Sequence, residues 1–183
     1  MKKLAMVLAL GMVLSLVGCG NKGEDSTTSG SAAAPVEIKG EIYETSMMSV
    51  LIPDGWMAFP KSDIFEEYPD EPGNPSGLLI YKGAKEEWDQ FTKPGLTINY
   101  YTPDTTLVIL KDYYNDVKDL KDMTIGGRTW QGFTATSLDT PVAVVWTTEP
   151  DQIEVNCWLQ TDEGSISVDD ADVQAILASI TIK

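Results

Sequence analysis

The stretch TPVAVVWTTEPDQIEVNCWLQTD, residues 140–162, restricts the possible folds most. Two runs rich in β-branched and aromatic residues flank Pro150-Asp151, the pattern of a β-hairpin. With the turn centred on that dipeptide, Trp146 faces Val155, Val144 faces Cys157 and Val142 faces Leu159, one continuous apolar face. Cys157 is then buried among Val and Leu, where its thiol pKa rises and it is a poor nucleophile. The opposite face carries Ala143, Val145 and Trp158, with Glu154 and Asn156 alongside. The preceding strand, joined through Ser137 to Thr140, adds Trp130, Gly132 and Thr134. Trp130, Glu154, Asn156 and Trp158 are therefore the candidate binding surface. The same residues also suit the seat of a helix packed on the second side of the sheet.

Other elements follow from the same signals. KDMTIGGRTWQGFTAT (121–136) reads as two strands across a Gly126-Gly127 turn. EIYETSMMSVLIPDGW (41–56) gives extended runs closed by Pro53-Asp54-Gly55, and GLLIYKG (77–83) and GLTINYYT (95–102) read as further strands. Between them FPKSDIFEEYPDEPGNPSG (59–77), with its four prolines, reads as an extended loop holding at most a short helix. Pro103-Asp104-Thr105-Thr106 resembles a helix start, and Leu107, Leu110, Tyr114 and Val117 fall on one helical stripe, widened by Val108, Ile109 and Tyr113. A last helix is expected over 168–179, capped by Ser167 or Asp169, with Val173, Ile176, Leu177 and Ile180 inward. Trp56 reads as a core plug after the first turn and Trp88 as a helix anchor. Together these make an α+β domain, an antiparallel β-sheet flanked by helices.

The N-terminus has a different character. Lys2 and Lys3 precede an apolar run of about fifteen residues, too short for the ~20 that span a bilayer but suited to a secretory leader. The run ends in Leu16-Val17-Gly18-Cys19, which resembles the lipobox of bacterial lipoproteins. That resemblance implies a diacylglyceryl group on Cys19, cleavage of residues 1–18 and a membrane anchor on the extracytoplasmic side. Two acyl chains suffice for stable anchoring where one does not. Residues 19–40, rich in Gly, Ser, Thr and Ala without periodicity, read as a flexible linker of roughly 25 Å span. Residues 41–183 then form one domain, in which Cys157 is the only cysteine left after Cys19.

MSVLIPDGW (48–56) and ADVQAILASITI (171–182) resemble the opening and closing of PsbP-like domains. The resemblance implies an α/β/α sandwich and a non-catalytic accessory or binding role; none of that family's binding residues can be placed on this sequence.

Charge and composition exclude more than they select. The formal charge is −15, and loss of Lys2 and Lys3 with the leader takes the side chains to about −17, which repels nucleic acid and anionic headgroups. There is no His, which removes the usual general base, the Ser-His-Asp triad and most zinc sites. No Gly-rich phosphate loop follows a strand. Asp70 to Gly77 does not match an EF-hand, since prolines stand at 72 and 75, and Asp169 to Asp172 suits a helix N-terminus better than a cation site. The expectation is a lipid-anchored binding or accessory module with an unknown protein or small-molecule partner and no cofactor. A calcium-binding surface protein is the alternative, a carboxylate-based hydrolase a more distant one. The Pro-rich segment from Tyr68 to Ser76 is a second candidate surface.

Overall fold

The computed structural model describes residues 38–63 and 67–183. The leader, Cys19 and residues 19–37 of the expected linker lie outside the described residues. In chain order the strands are β1 (Gly40–Glu44), β2 (Met48–Pro53), β3 (Trp56–Lys61), β4 (Asn74–Lys82), β5 (Gly95–Tyr101), β6 (Asn115–Asp119), β7 (Met123–Ile125) and β8 (Arg128–Ser137). There follow β9 (Thr140–Thr147), β10 (Gln152–Trp158), β11 (Gln160–Thr161), β12 (Gly164–Ser165), the helix α1 (Ala171–Ser179) and β13 (Thr181–Ile182). Short 3-10 turns occur at Glu87–Phe91 and Lys111–Tyr113.

An eight-stranded antiparallel sheet runs in the order β3-β4-β5-β10-β9-β8-β6, with β7 paired to β8. A second sheet, β1-β2-β13, lies over one side of it, and α1 lies beside β2. The chain crosses between the sheets at Asp54-Gly55, where Gly55 takes φ +85, a left-handed conformation that glycine adopts without the cost other residues bear. The inner face of the large sheet contributes Leu78, Ile80, Leu96, Ile98, Val155 and Cys157 to the main core. Met48 and Val50 of the small sheet and Val173, Ile176 and Leu177 of α1 close over them.

The closing helix is tied at both ends. Its first-turn Asp172 accepts from Trp56 Nε1 at 3.1 Å and pairs with Lys82 at 3.7 Å, so an acid sits at the positive helix end. At its other end Ser179 Oγ accepts from Leu51 N at 2.8 Å, a backbone donor beyond the reach of β13. Arg128 donates to Ile180 O and to Asp151 Oδ2, each at 2.8 Å, placing a cation at the negative end.

Three expectations are corrected. The architecture is a β-sandwich of two antiparallel sheets, not an α/β/α sandwich: α1 is the one α-helix among the described residues, and it shares the inner side with the small sheet. The helix expected after Pro103 does not form. Residues 102–114 run as an irregular strap into β6, with Leu107 and Ile109 half-buried and Val108 and Leu110 exposed. Four successive apolar residues fit a period of two as well as 3.6, and packing decides between them. Finally, the β9–β10 register differs by one residue. The connection is an odd-length loop, residues 148–152, so Trp146 faces Glu154, Val145 faces Val155 and Ala143 faces Cys157. That slip turns every β9 side chain to the other face relative to expectation.

Candidate functional site

The registers assign each strand residue of the large sheet to a face. Glu154, Asn156 and Trp158 of β10 share the outer face with Trp146 and Val144 of β9, Phe133 of β8, Thr97, Asn99 and Tyr101 of β5 and Leu79 and Tyr81 of β4. No helix among the described residues packs on this side, so the helix-seat reading fails for Glu154, Asn156 and Trp158, whereas Trp130, Ala143 and Val145 lie in the core cluster that α1 helps to form. Among the described residues, the 102–114 strap lies on it. Ile109 and Tyr114 of the strap and Val117 of β6 pack against Phe133, Ala135, Val142 and Val144, a second and smaller apolar cluster. Tyr114 meets the Phe133 ring edge-on at 5.3 Å between centroids. The strap is clamped by one side chain: Gln152 accepts from Leu107 N at 3.0 Å and donates to Thr105 O at 2.9 Å.

Beyond the strap the face is a half-buried row of polar groups between aromatic rings. Lys61 Nζ donates to Asn99 Oδ1 at 2.5 Å, and Tyr101 OH donates to Glu154 Oε2 at 2.9 Å. Asn99 Nδ2 approaches the same carboxylate oxygen at 3.5 Å, and Tyr114 OH approaches Asn156 Oδ1 at 3.4 Å. Burial, then the adjacent Glu154 charge and its hydrogen bond, raise the Tyr101 hydroxyl well above a free phenol, so it stays a donor at any physiological pH. Tyr114 is raised by burial and by the same carboxylate.

Three of the four candidate residues thus stand together on the outer face, and the fourth does not. Trp130 is completely buried on the inner face, its Nε1 donating to Ile125 O at 3.2 Å. Its exclusion follows from the pairing of its neighbour Gln131 with Trp146, which puts Gln131 outward and Trp130 inward. Ala143, Val145 and Gly132 share the inner side. Cys157 is buried in the main core, where desolvation pushes its thiol up to about 12. Trp56 is buried, whereas Trp88 anchors no helix: it lies in the 3-10 turn with its side chain 73% exposed.

Acids of the two segments weighed and set aside as cation sites are engaged locally. Glu71 accepts from Ser46 N, Asp170 from Ser167 N, and Asp172 from Trp56. Among the described residues no three His, Cys, Asp or Glu side chains gather in a way that could hold a metal ion. The last third of the second candidate surface, Asn74 to Ser76, is sheet, since β4 begins at Asn74.

At the Trp158 end, the outer face opens into a cleft of about 720 Å³ between the Glu87–Phe91 turn, the β8–β9 turn and the β11–β12 hairpin. Trp158, Phe91, Asp139, Asp162 and the Lys93–Glu163 pair at 2.5 Å line it. Phe91 and Trp88 form a tilted pair with centroids 5.9 Å apart. Phe91, Asp139, Tyr101 and Asn99 were not marked as site residues by sequence reasoning. The alternation of Thr97, Asn99 and Tyr101 along β5 carries the signal for the last two, but only its pairing with β10 gives it meaning.

No protein-family model matches the chain, and comparison with curated proteins finds no match.

Proposed function

We propose that this protein is a lipid-anchored, extracytoplasmic binding module that engages its partner through the outer face of the large sheet, without catalysis. The observation that carries the reading is the side-by-side placement of the partly exposed Glu154, Asn156 and Trp158 on a sheet face that, among the described residues, the strap overlies. Such a face combines partly exposed aromatic surface with fixed hydrogen-bond groups, the composition of the central part of an interface. Lys2, Lys3, the short apolar run and Leu16-Val17-Gly18-Cys19 support the anchor on Cys19. The absence of His and the overall acidity argue against the common catalytic arrangements and against nucleic acid.

Two experiments test this. Cys19→Ser should abolish acyl incorporation and move the protein from the membrane to the soluble fraction; unchanged membrane retention would remove the anchor. A photo-crosslinking residue at Asn156 in the anchored full chain should form a discrete adduct in cells. The adduct should disappear when Glu154→Arg is added, with melting curves confirming that the variant is folded. No adduct at Asn156, or an adduct indifferent to Glu154, would contradict the use of this face.

A further inference from the structure

Three of the four most exposed large hydrophobic side chains lie at or next to the cleft beside Trp158. Trp88, Phe91 and Leu138 are 73%, 71% and 89% exposed. Phe91 lines the cleft, Trp88 packs on Phe91, and Leu138 neighbours Asp139 on the opposite wall. Leu138 and Asp139 form the two-residue turn between the paired Ser137 and Thr140, with φ of +48 and +63. That turn favours Asn-Gly, and a leucine held in the left-handed region with its side chain in water serves no packing purpose. Backbone strain of this kind persists mainly where it places a side chain for use.

The charges of the cleft have one sign to spare. Lys93 and Glu163 satisfy each other: the bond to Glu163 raises the lysine above its ordinary value, and the bonds to Lys93 and Thr92 lower the glutamate. No ion pair among the described residues involves Asp139 or Asp162. The lining therefore includes two carboxylates outside any ion pair together with the Trp158 and Phe91 rings, a composition that repels anions and gives a bare metal ion too few oxygens. A cation attached to an apolar body satisfies both features, since ring faces attract cations and stack on flat or alkyl groups.

We propose that this cleft takes an organic cation, its ammonium or guanidinium group set against Asp139 and Asp162 and its alkyl or aryl portion resting on Trp158 and Phe91. The inference rests on the reading of the outer face as a binding surface and adds the class of ligand. The cation is either a free amine or a Lys or Arg side chain of a polypeptide, because the chemistry recognised is the same.

The anchored full chain, labelled with 5-fluorotryptophan, gives one fluorine signal for each of its five tryptophans. Titration with benzyltrimethylammonium, against sodium chloride at matched ionic strength, should shift the Trp158 and Trp88 signals saturably and leave Trp130 unmoved. The paired substitution Asp139→Asn, Asp162→Asn should weaken binding roughly fivefold or more with the remaining signals in place. Competition by a Lys- or Arg-containing peptide amide at the same signals supports a polypeptide source, and competition by small amines alone supports a free one. Equal shifts from benzyl alcohol, saturation by a neutral oligosaccharide with the amine silent, or no saturable shift at all would overturn the assignment. These results leave the Asn156 crosslink untouched, so failure of the ligand class and failure of the binding face are read separately.

Discussion

Gly126 shows how closely single residues are specified in this domain. It holds φ +60 in the β7–β8 turn, and a Cβ there would lie 2.6 Å from the Ala178 backbone at the end of α1. Gly126→Ala combines left-handed strain with overpacking and should cost about 2 kcal/mol or more, read as a lower urea midpoint with an unchanged slope. Gly127 also has positive φ but faces open space, so Gly127→Ala should cost only about 1 kcal/mol from the backbone conformation. Cys157 sets a pH dependence. Its folded thiol titrates near 12 while the unfolded thiol titrates near ~8.5, so the unfolded state loses its proton first as pH rises. The burial contribution is complete below the unfolded value and falls by up to ~1.4 kcal/mol per pH unit from about pH 9 towards 12. Tyr101 and Tyr81, both raised in the fold, steepen the same alkaline loss. Urea titrations at several alkaline pH values should show the slope, and Cys157→Val should make it shallower.

At the scale of elements, the strap and the central hairpin decide which side of the sheet is presented. Gln152 holds the strap backbone to β10 through two hydrogen bonds, so Gln152→Ala should free residues 105–107. The loss should be about 1–2 kcal/mol locally, seen as faster amide exchange at Leu107 with little change in global melting. The two hairpins, the Pro53-Asp54-Gly55 corner and the closing helix were legible because turn chemistry and strong periodicity are local. What was not legible was the parity of a loop. One residue more between Thr147 and Ile153 separates the expected register from the observed one, and no local rule measures it. That single step moved Trp130 from the proposed surface into the core while Glu154, Asn156 and Trp158 stayed together, because residues two apart on one strand share a face whatever the register. The strap was misread for a related reason. Val108 to Leu110 supports either period, and the pairing of β6 with β8 and the seat for Tyr114 on Phe133 exist only in three dimensions.

At the scale of the whole fold the sandwich is one-sided among the described residues: a small sheet and a helix cover the inner face, and the strap lies on the outer face. An excess of 15 formal negative charges acts on this body, so raising sodium chloride from low ionic strength should raise the melting temperature as self-repulsion is screened. Calcium should do no more than its ionic strength predicts if binding is confined to diffuse surface charge, and a saturable calcium-specific increase would reveal a dedicated site. The central claim, that the outer face meets a partner while the inner face is only core, is tested most directly by hydroxyl-radical footprinting of the purified full chain and of the anchored chain in cells. Trp130 should be unreactive in both, and Trp158, Phe91 and Tyr101 should react in the purified chain and be protected in cells. Equal reactivity of Trp158, Phe91 and Tyr101 in the two settings would contradict the account.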